Sequence, residues 1–309
     1  MATDTTSTLA ALLQDGSISG RYALNIADRN SFLQHPVIAA SFIADLAGQK
    51  STTAEKSAYG FGANAMTGVT EGSAASETSL TVASLTATVA PFALQRELTT
   101  LVQTIVGDPL SAATLIADDL AAAATAGMMD QICGVINGFA ATGGATGTDL
   151  TLAHFLSALG TFRANNMRGP IMAVFHSIQW SDLSTDVATS GSGSIALSDA
   201  GAQLARYTSG SYQGNLMGVD IFTSNRVVTA AAGADRAGAI FGPDGIVWAT
   251  ATPTVDSPGQ QALYGAGVLP MLVDLDRTGS SGITELTARV FMGVSLGLEN
   301  GVTISSGAT

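Results

Sequence analysis

Apolar positions along this chain follow two spacings. The run Ile116, Leu120, Ala124, Met128, Ile132, Val135 and Phe139 falls three or four residues apart, one stripe of a long helix. Asp108-Pro109 supplies its start: a carboxylate at the N-cap, then proline where the first turn has no N–H bond to lose. At 1.5 Å per residue, a helix of about 30 residues is about 45 Å long, a mechanical spine closed by the loop sequence GFAATGGATGTD. LAHFLSALGTF (Leu152–Phe162) predicts a second amphipathic helix, IMAVFH (Ile171–His176) a short buried strand, and IQWSDLSTD another helix. YQGNLMGVDIFTSN (Tyr212–Asn225) reads as a tight turn and a strand. Beyond it AGAIFG, GIVWAT, VLPMLVDLD and ITELTARVFMGVSL read as further strands.

The N-terminal third is less regular. Leu9, Leu12 and Leu13 have helical spacing, closed by Gly16. Pro36 predicts the first turn of a helix carrying Val37, Ile38, Phe42, Ile43 and Leu46, ended by Gly48. Residues 48–79 hold only Tyr59, Phe61, Met66 and Val69 as large apolar residues, diluted in Gly, Ala, Ser and Thr. So sparse a segment does not offset its ordering entropy by itself, about 1–2 kcal/mol per residue. It is either a floppy insert or an extended hairpin buried on a neighbouring subunit through those four side chains. Leu80–Leu98 alternates through Leu85, Ala87 and Val89, then reads as helical past Pro91. No internal repeat is found. Helices come first, then mixed elements, then strands, so the class is α+β.

Composition narrows the function. Charged residues make up 12%, about half the usual share, which leaves a free monomer poorly protected against self-association. A surface largely covered by copies of the same chain explains this; an alanine-rich soluble enzyme is the alternative. Net charge is −12, the only lysines are Lys50 and Lys56, and Glu97–Phe162 holds no lysine or arginine. Specific nucleic-acid binding needs clustered cations, and none exist here. The single cysteine, Cys133, excludes an intrachain disulfide and a cysteine-based zinc site. The start MATDTTSTLAALLQDGS lacks a signal peptide's basic and apolar regions, and no run of 18 strongly apolar residues occurs, so the expectation is cytoplasmic synthesis and no membrane role.

Candidate chemistry is thin. Asp274, Asp276, Thr278, Gly279 and Glu285 fall at positions of a calcium loop, but their flanks alternate as strands and a turn between long antiparallel strands accounts for them. GFGANA (Gly60–Ala65) has dinucleotide-type glycine spacing without the flanking strand and helix. No phosphate-binding loop or G-x-S-x-G elbow is present. His35, His154 and His176 lie far apart and read as structural, Cys133 as a buried thiol on the long helix, Trp180 and Trp248 as packing anchors, and Asp118-Asp119 as the helix's wet side. No catalytic residue, cofactor or metal is expected.

The order of elements resembles the major capsid proteins of tailed double-stranded DNA phages, the Hong Kong 97 fold. The similarity rests on the long helix at 108–139 and on AVFHSIQWSDL (Ala173–Leu183). It rests also on Gly214, Leu216, Gly218, Val219, Ile221, Ser224 and Asn225, on AGAIFGPDGIVW, and on LTARVFMGVSL. Val219-Asp220 stands where many members have proline beside valine. The resemblance implies an N-terminal arm at 1–47 and a β-hairpin E-loop at 48–82. It implies a peripheral domain at 83–150 and 260–309, and an axial domain at 151–259. It implies a non-enzymatic protein forming hexamers and pentamers of an icosahedral head in the host bacterial cytoplasm, enclosing double-stranded DNA without reading its sequence. Portal, scaffolding and decoration proteins are the implied partners; because 1–47 is too short for a scaffolding segment, either scaffolding is a separate protein or the chain is already in its mature form. Tyr59, Phe61, Met66 and Val69 become expected inter-subunit contacts, and Lys50 and Lys56 lie where some members form a lysine–asparagine cross-link. An encapsulin-like shell around an enzyme cargo is the nearest alternative. A secreted adhesive would need an export signal.

Overall fold

The computed structural model describes residues 20–25, 32–59, 82–99, 109–164, 169–189, 212–230, 235–256, 260–263, 269–278 and 283–307. In chain order these form α1 (Pro36–Ala40), β1 (Phe42–Asp45), β2 (Thr53–Tyr59), β3 (Val82–Thr88), β4 (Ala90–Thr99), α2 (Pro109–Ile136) and β5 (Ala141–Ala145). Next come α3 (Leu152–Ala164), β6 (Ile171–Phe175), α4 (Ser177–Thr189), β7 (Tyr212–Leu216), β8 (Val219–Thr223) and β9 (Thr229–Ala230). The remainder are β10 (Asp235–Phe241), β11 (Ile246–Thr250), β12 (Gln260–Leu263), β13 (Met271–Thr278), β14 (Ile283–Leu296) and β15 (Gly301–Gly307). The class is α+β, as expected.

Three sheets result. One follows β1-β11-β14-β13-β12, with β4 also on β14; a second follows β5-β15-β10-β6-β8-β7, with β9 on β10; β2 and β3 form a separate pair. Strand β14 organises the first sheet. β4 lies along one side from Ile283 to Met292, and β13 then β11 along the other. Gly293 lets the chain pass: a methyl group there would stand 2.0 Å from the Thr88 carbonyl oxygen.

The long helix is α2, 28 residues from Pro109. Its buried face, Leu120, Ala124, Met128, Ile132 and Ile136, meets Met271, Val290 and Met292 of one sheet and Met172, Val174, Ala239 and Phe241 of the other in a single core. Its C-terminal end is satisfied from a distance, the Thr303 hydroxyl donating to the Ile136 carbonyl at 2.8 Å. A second core lies beneath α3 and α4, built from Phe155, Leu159, Phe162, Phe175, Leu183 and Ile221. The tight turn between β7 and β8 is Met217-Gly218, both with positive φ (54° and 87°), as a two-residue type I′ hairpin demands. The Asn215 side chain accepts from the Gly218 N–H at 2.9 Å.

Three local expectations are corrected. The helix from Pro36 stops at Ala40. Ser41 closes it, its hydroxyl donating to the Val37 carbonyl at 2.7 Å, and Phe42–Asp45 then pairs in parallel with β11. Phe42 and Ile43 fit a helix stripe, but the open edge of β11 and the Trp248 ring, 4.6 Å from that of Phe42, take them as strand. Past Pro91 the chain is strand β4, not helix: Phe92 and Leu94, two apart, both point at the core, and proline is tolerated because, among the described strands, β4 pairs only with β14. The loop after α2 contains β5, which adds in parallel to β15. The expected helix around Leu9–Leu13 and the GFGANA stretch lie outside the described residues.

Two substitutions test this frame. Gly293→Ala drives a methyl into the β3–β4 backbone and is expected to lower stability by more than ~3 kcal/mol in urea unfolding, as a strained core position does. Thr303→Val, which removes only the cap on α2, is expected to lower it by about 1 kcal/mol.

Candidate assembly surfaces

Of residues 48–79, 48–59 are described, and Thr53–Tyr59 within them is strand β2, paired with β3. β2 and β3 are antiparallel from Thr53↔Thr88 to Tyr59↔Val82. Period-two alternation puts Ala54, Lys56 and Ala58 on one face, opposite Ala87, Leu85 and Ala83. This face is seated on its own chain: Ala54, Ala58, Leu85 and Ala87 are buried against Ile43, Val247 and Ala249. In the middle of the small side chains Lys56 reaches down, its Nζ 2.6 Å from Asp244 Oδ1 and 3.3 Å from the Ala40 carbonyl oxygen. Asp244 is itself fixed in the turn before β11: its φ is 60°, its N–H donates to Ser41 Oγ, and its carbonyl accepts from Leu298 N–H at 2.7 Å. Lys50 is exposed. The outward face, Glu55, Ser57, Ser84 and Thr86, is polar and exposed.

Of the four expected contact residues, Tyr59 ends β2, while its side chain and Phe61, Met66 and Val69 lie outside the described residues. The base of the hairpin, with Lys56 and its alanines, was not singled out as an anchor from the sequence. The alternation of Ala54, Lys56 and Ala58 was the available signal.

A second surface runs where α2 crosses β4 and β14. Apolar grooves there are lined by Leu115, Ile116, Leu120 and Leu286, and by Phe92, Leu94, Gly127 and Met292. Leu115 is 62% exposed. The Arg96 guanidinium bridges the first groove to Asp119 through two hydrogen bonds of 2.8 and 3.2 Å.

The polar residues weighed for chemistry occupy structural posts. His35 caps α1 and meets Asp220 at 3.0 Å. Burial raises the Asp220 carboxyl, but hydrogen bonds from His35, Asn215 and Tyr212 outweigh it and hold Asp220 below the usual carboxylate range. Cys133 is fully buried on α2, and burial pushes its thiol up to about 12. Trp248 is buried, its indole N–H donating to the Ile38 carbonyl at 2.8 Å. Asp182 is raised by burial and by Asp149. Asp276 lies opposite Glu285 and Asp274 opposite Thr287 across the β13–β14 ladder, the geometry of a hairpin rather than a helix-flanked calcium loop. Among the described residues no group of three or more His, Cys, Asp or Glu side chains is placed to hold a metal, and no helix is long and apolar enough to cross a membrane.

No family model and no curated protein matches the sequence. The fold, however, is similar to the capsid of Ralstonia phage GP4, at TM-score 0.56 and 9% identity over 86% of this chain and 85% of that one. It is similar to the head structure of Helicobacter pylori bacteriophage KHP40, at TM-score 0.56 and 10% identity over 86% and 88%. The cyanophage Pam1 capsid asymmetric unit matches at TM-score 0.52 and 15% identity over 85% and 87%. The class this architecture defines is the Hong Kong 97-like capsid fold.

Two measurements check these placements. Cys133 is expected to stay unlabelled by a thiol reagent at about pH 8 until denaturant unfolds the chain. Lys56→Met is expected to speed amide exchange in β2 and β3 and to cost about 1 kcal/mol, the value of a half-exposed pair, with the difference from the parent shrinking at high salt.

Proposed function

We propose that this chain is the major capsid protein of a tailed phage, assembling into hexamers and pentamers of an icosahedral head that encloses double-stranded DNA. One observation carries the reading: the fold is shared with phage capsid and head structures over about 85% of both chains. In this reading the role is structural and not enzymatic. Residues 1–47 form the arm, 48–82 the E-loop, 83–150 and 260–309 the peripheral domain and 151–259 the axial domain, with β5 and β15 lacing the peripheral stretches into the axial sheet. Tyr59, Phe61, Met66 and Val69 bury themselves on the adjacent subunit, beyond the seat that holds the hairpin's base. Portal, scaffolding and decoration proteins are the further partners, and assembly takes place in the bacterial cytoplasm.

The energetics suit an obligate assembly. Interfaces of about 2,000–5,000 Å² at about 25 cal/mol/Å² supply tens of kcal/mol gross, before association costs. With few charges to spend, the glue is apolar contact and backbone pairing. The net charge of −12 gives DNA no specific hold, which suits a container wall.

Negative-stain electron microscopy and sedimentation of the purified chain, alone and co-expressed with a scaffolding protein, test this. Rings of five and six or closed shells are expected. Small closed particles formed alone with a co-purified enzyme would favour the encapsulin-like alternative. A stable monomer at the highest soluble concentration in both conditions would refute both.

A further inference from the structure

Helix α4 starts with an unusual cap. His176 follows the last residue of β6 and is buried. Its Nδ1 accepts from the Ile178 N–H at 3.2 Å, while its own N–H donates to Gln179 Oε1 at 3.0 Å. This is a reciprocal capping box, with histidine in the place usually held by serine or threonine. The box does not end at the helix. Gln179 is fully buried, and its Nε2 donates to Ser306 Oγ at 2.8 Å and to the Arg236 carbonyl at 2.9 Å. The start of α4 is thereby wired to β15 and β10. The fit is close: a methyl group on Gly238 would stand 2.8 Å from Gln179 Oε1.

An imidazole can accept at Nδ1 only while that nitrogen carries no proton. We propose that His176 is an acid-operated cap: neutral, it locks the first turn of α4 to the seven-stranded sheet; protonated, it releases that turn while the sheet stays folded.

The surroundings push the same way. Burial and then the nearby Arg236 guanidinium of β10 hold His176 below the ordinary histidine range. Its hydrogen-bond partners on α4, Ile178 and Gln179, are neutral, and none of the four ion pairs among the described residues includes His176. A histidine lowered on folding stabilises fully above its unfolded value, about 6.5, and loses that contribution as pH falls through the folded value. The inference does not depend on the shell reading.

Hydrogen exchange of the full-length chain at about pH 8 and about pH 5, corrected for intrinsic rates, is the test. Protection of the amides of Ile178–Leu183 is expected to fall about fivefold to tenfold at the lower pH, while β10 and β15 keep theirs. His176→Asn, which caps without titrating, is expected to abolish the fall; His176→Ala is expected to leave the turn weakly protected at both values. A fall that persists in His176→Asn, no fall in the parent chain, or equal loss across the sheet would each overturn the proposal.

Discussion

Burial of one face of α2 against two sheets at once is the constraint on which the rest of the structure depends. Neither sheet could stand with that face uncovered. Met271, Val290 and Met292 of the first and Met172, Val174 and Phe241 of the second share one core through the helix. At about 1.5–3 kcal/mol for each large side chain buried, this shared core is the main return against the entropy of ordering the chain. Small residues make the contact close. Ala117, Ala121 and Ala124 are buried, and a methyl group on Gly127 would meet Met292 at 3.2 Å. A bulkier stripe would hold the sheets further from the helix and from each other.

The N-terminal segment reinforces the beam from outside. Phe32 sets its ring edge-on to Phe222 at 5.5 Å, and His35 bonds Asp220, both on β8 of the seven-stranded sheet. A few residues on, the Ile38 and Ser41 carbonyls accept from the Trp248 side chain and backbone on β11 of the other sheet. Ten residues thus staple one sheet to the other, with Tyr22 adding a bond to the Leu269 carbonyl at 2.9 Å. Without α1 in that position, β1 would not reach the edge of β11.

Much of this was legible in the sequence because local patterns and tertiary demands agreed. The stripe from Ile116 to Val135, the proline at the start of α2, the strand at 171–175 and the long alternating β14 are cases where periodicity and burial select the same conformation. The misread segments are those in which a distant partner decides. Phe42–Asp45 becomes strand because β11 has an open edge, and Ala90–Thr99 because it pairs along the side of β14 that β13 and β11 leave free. Glycine-rich Ala141–Ala145 carries no strand signal at all; β15 pairs with it and α3 covers it so closely that a methyl group on Gly143 would stand 2.8 Å from Ala158. At the surfaces, the four apolar residues expected as contacts have side chains outside the described residues, so only the base of the hairpin can be compared. Its seat was not legible, because alanine gives a weak periodic signal and the partner of Lys56 lies 188 residues away.

That seat also says what kind of joint the hairpin makes. A face of four alanines, one leucine and one lysine contributes little apolar area: about 0.8 kcal/mol for each buried methyl, against several times that for a leucine-rich face. Specificity comes instead from one ion pair, whose partners are 33% and 22% exposed and so open to competition from water and salt. A hairpin held so lightly at its base is free to adjust its angle at small energetic cost, whereas the core around α2 is not. If the chain builds the shell proposed above and its subunits rotate as rigid bodies, the flexing falls on the hairpin, and the beam of α2 keeps each subunit's two sheets in fixed relation.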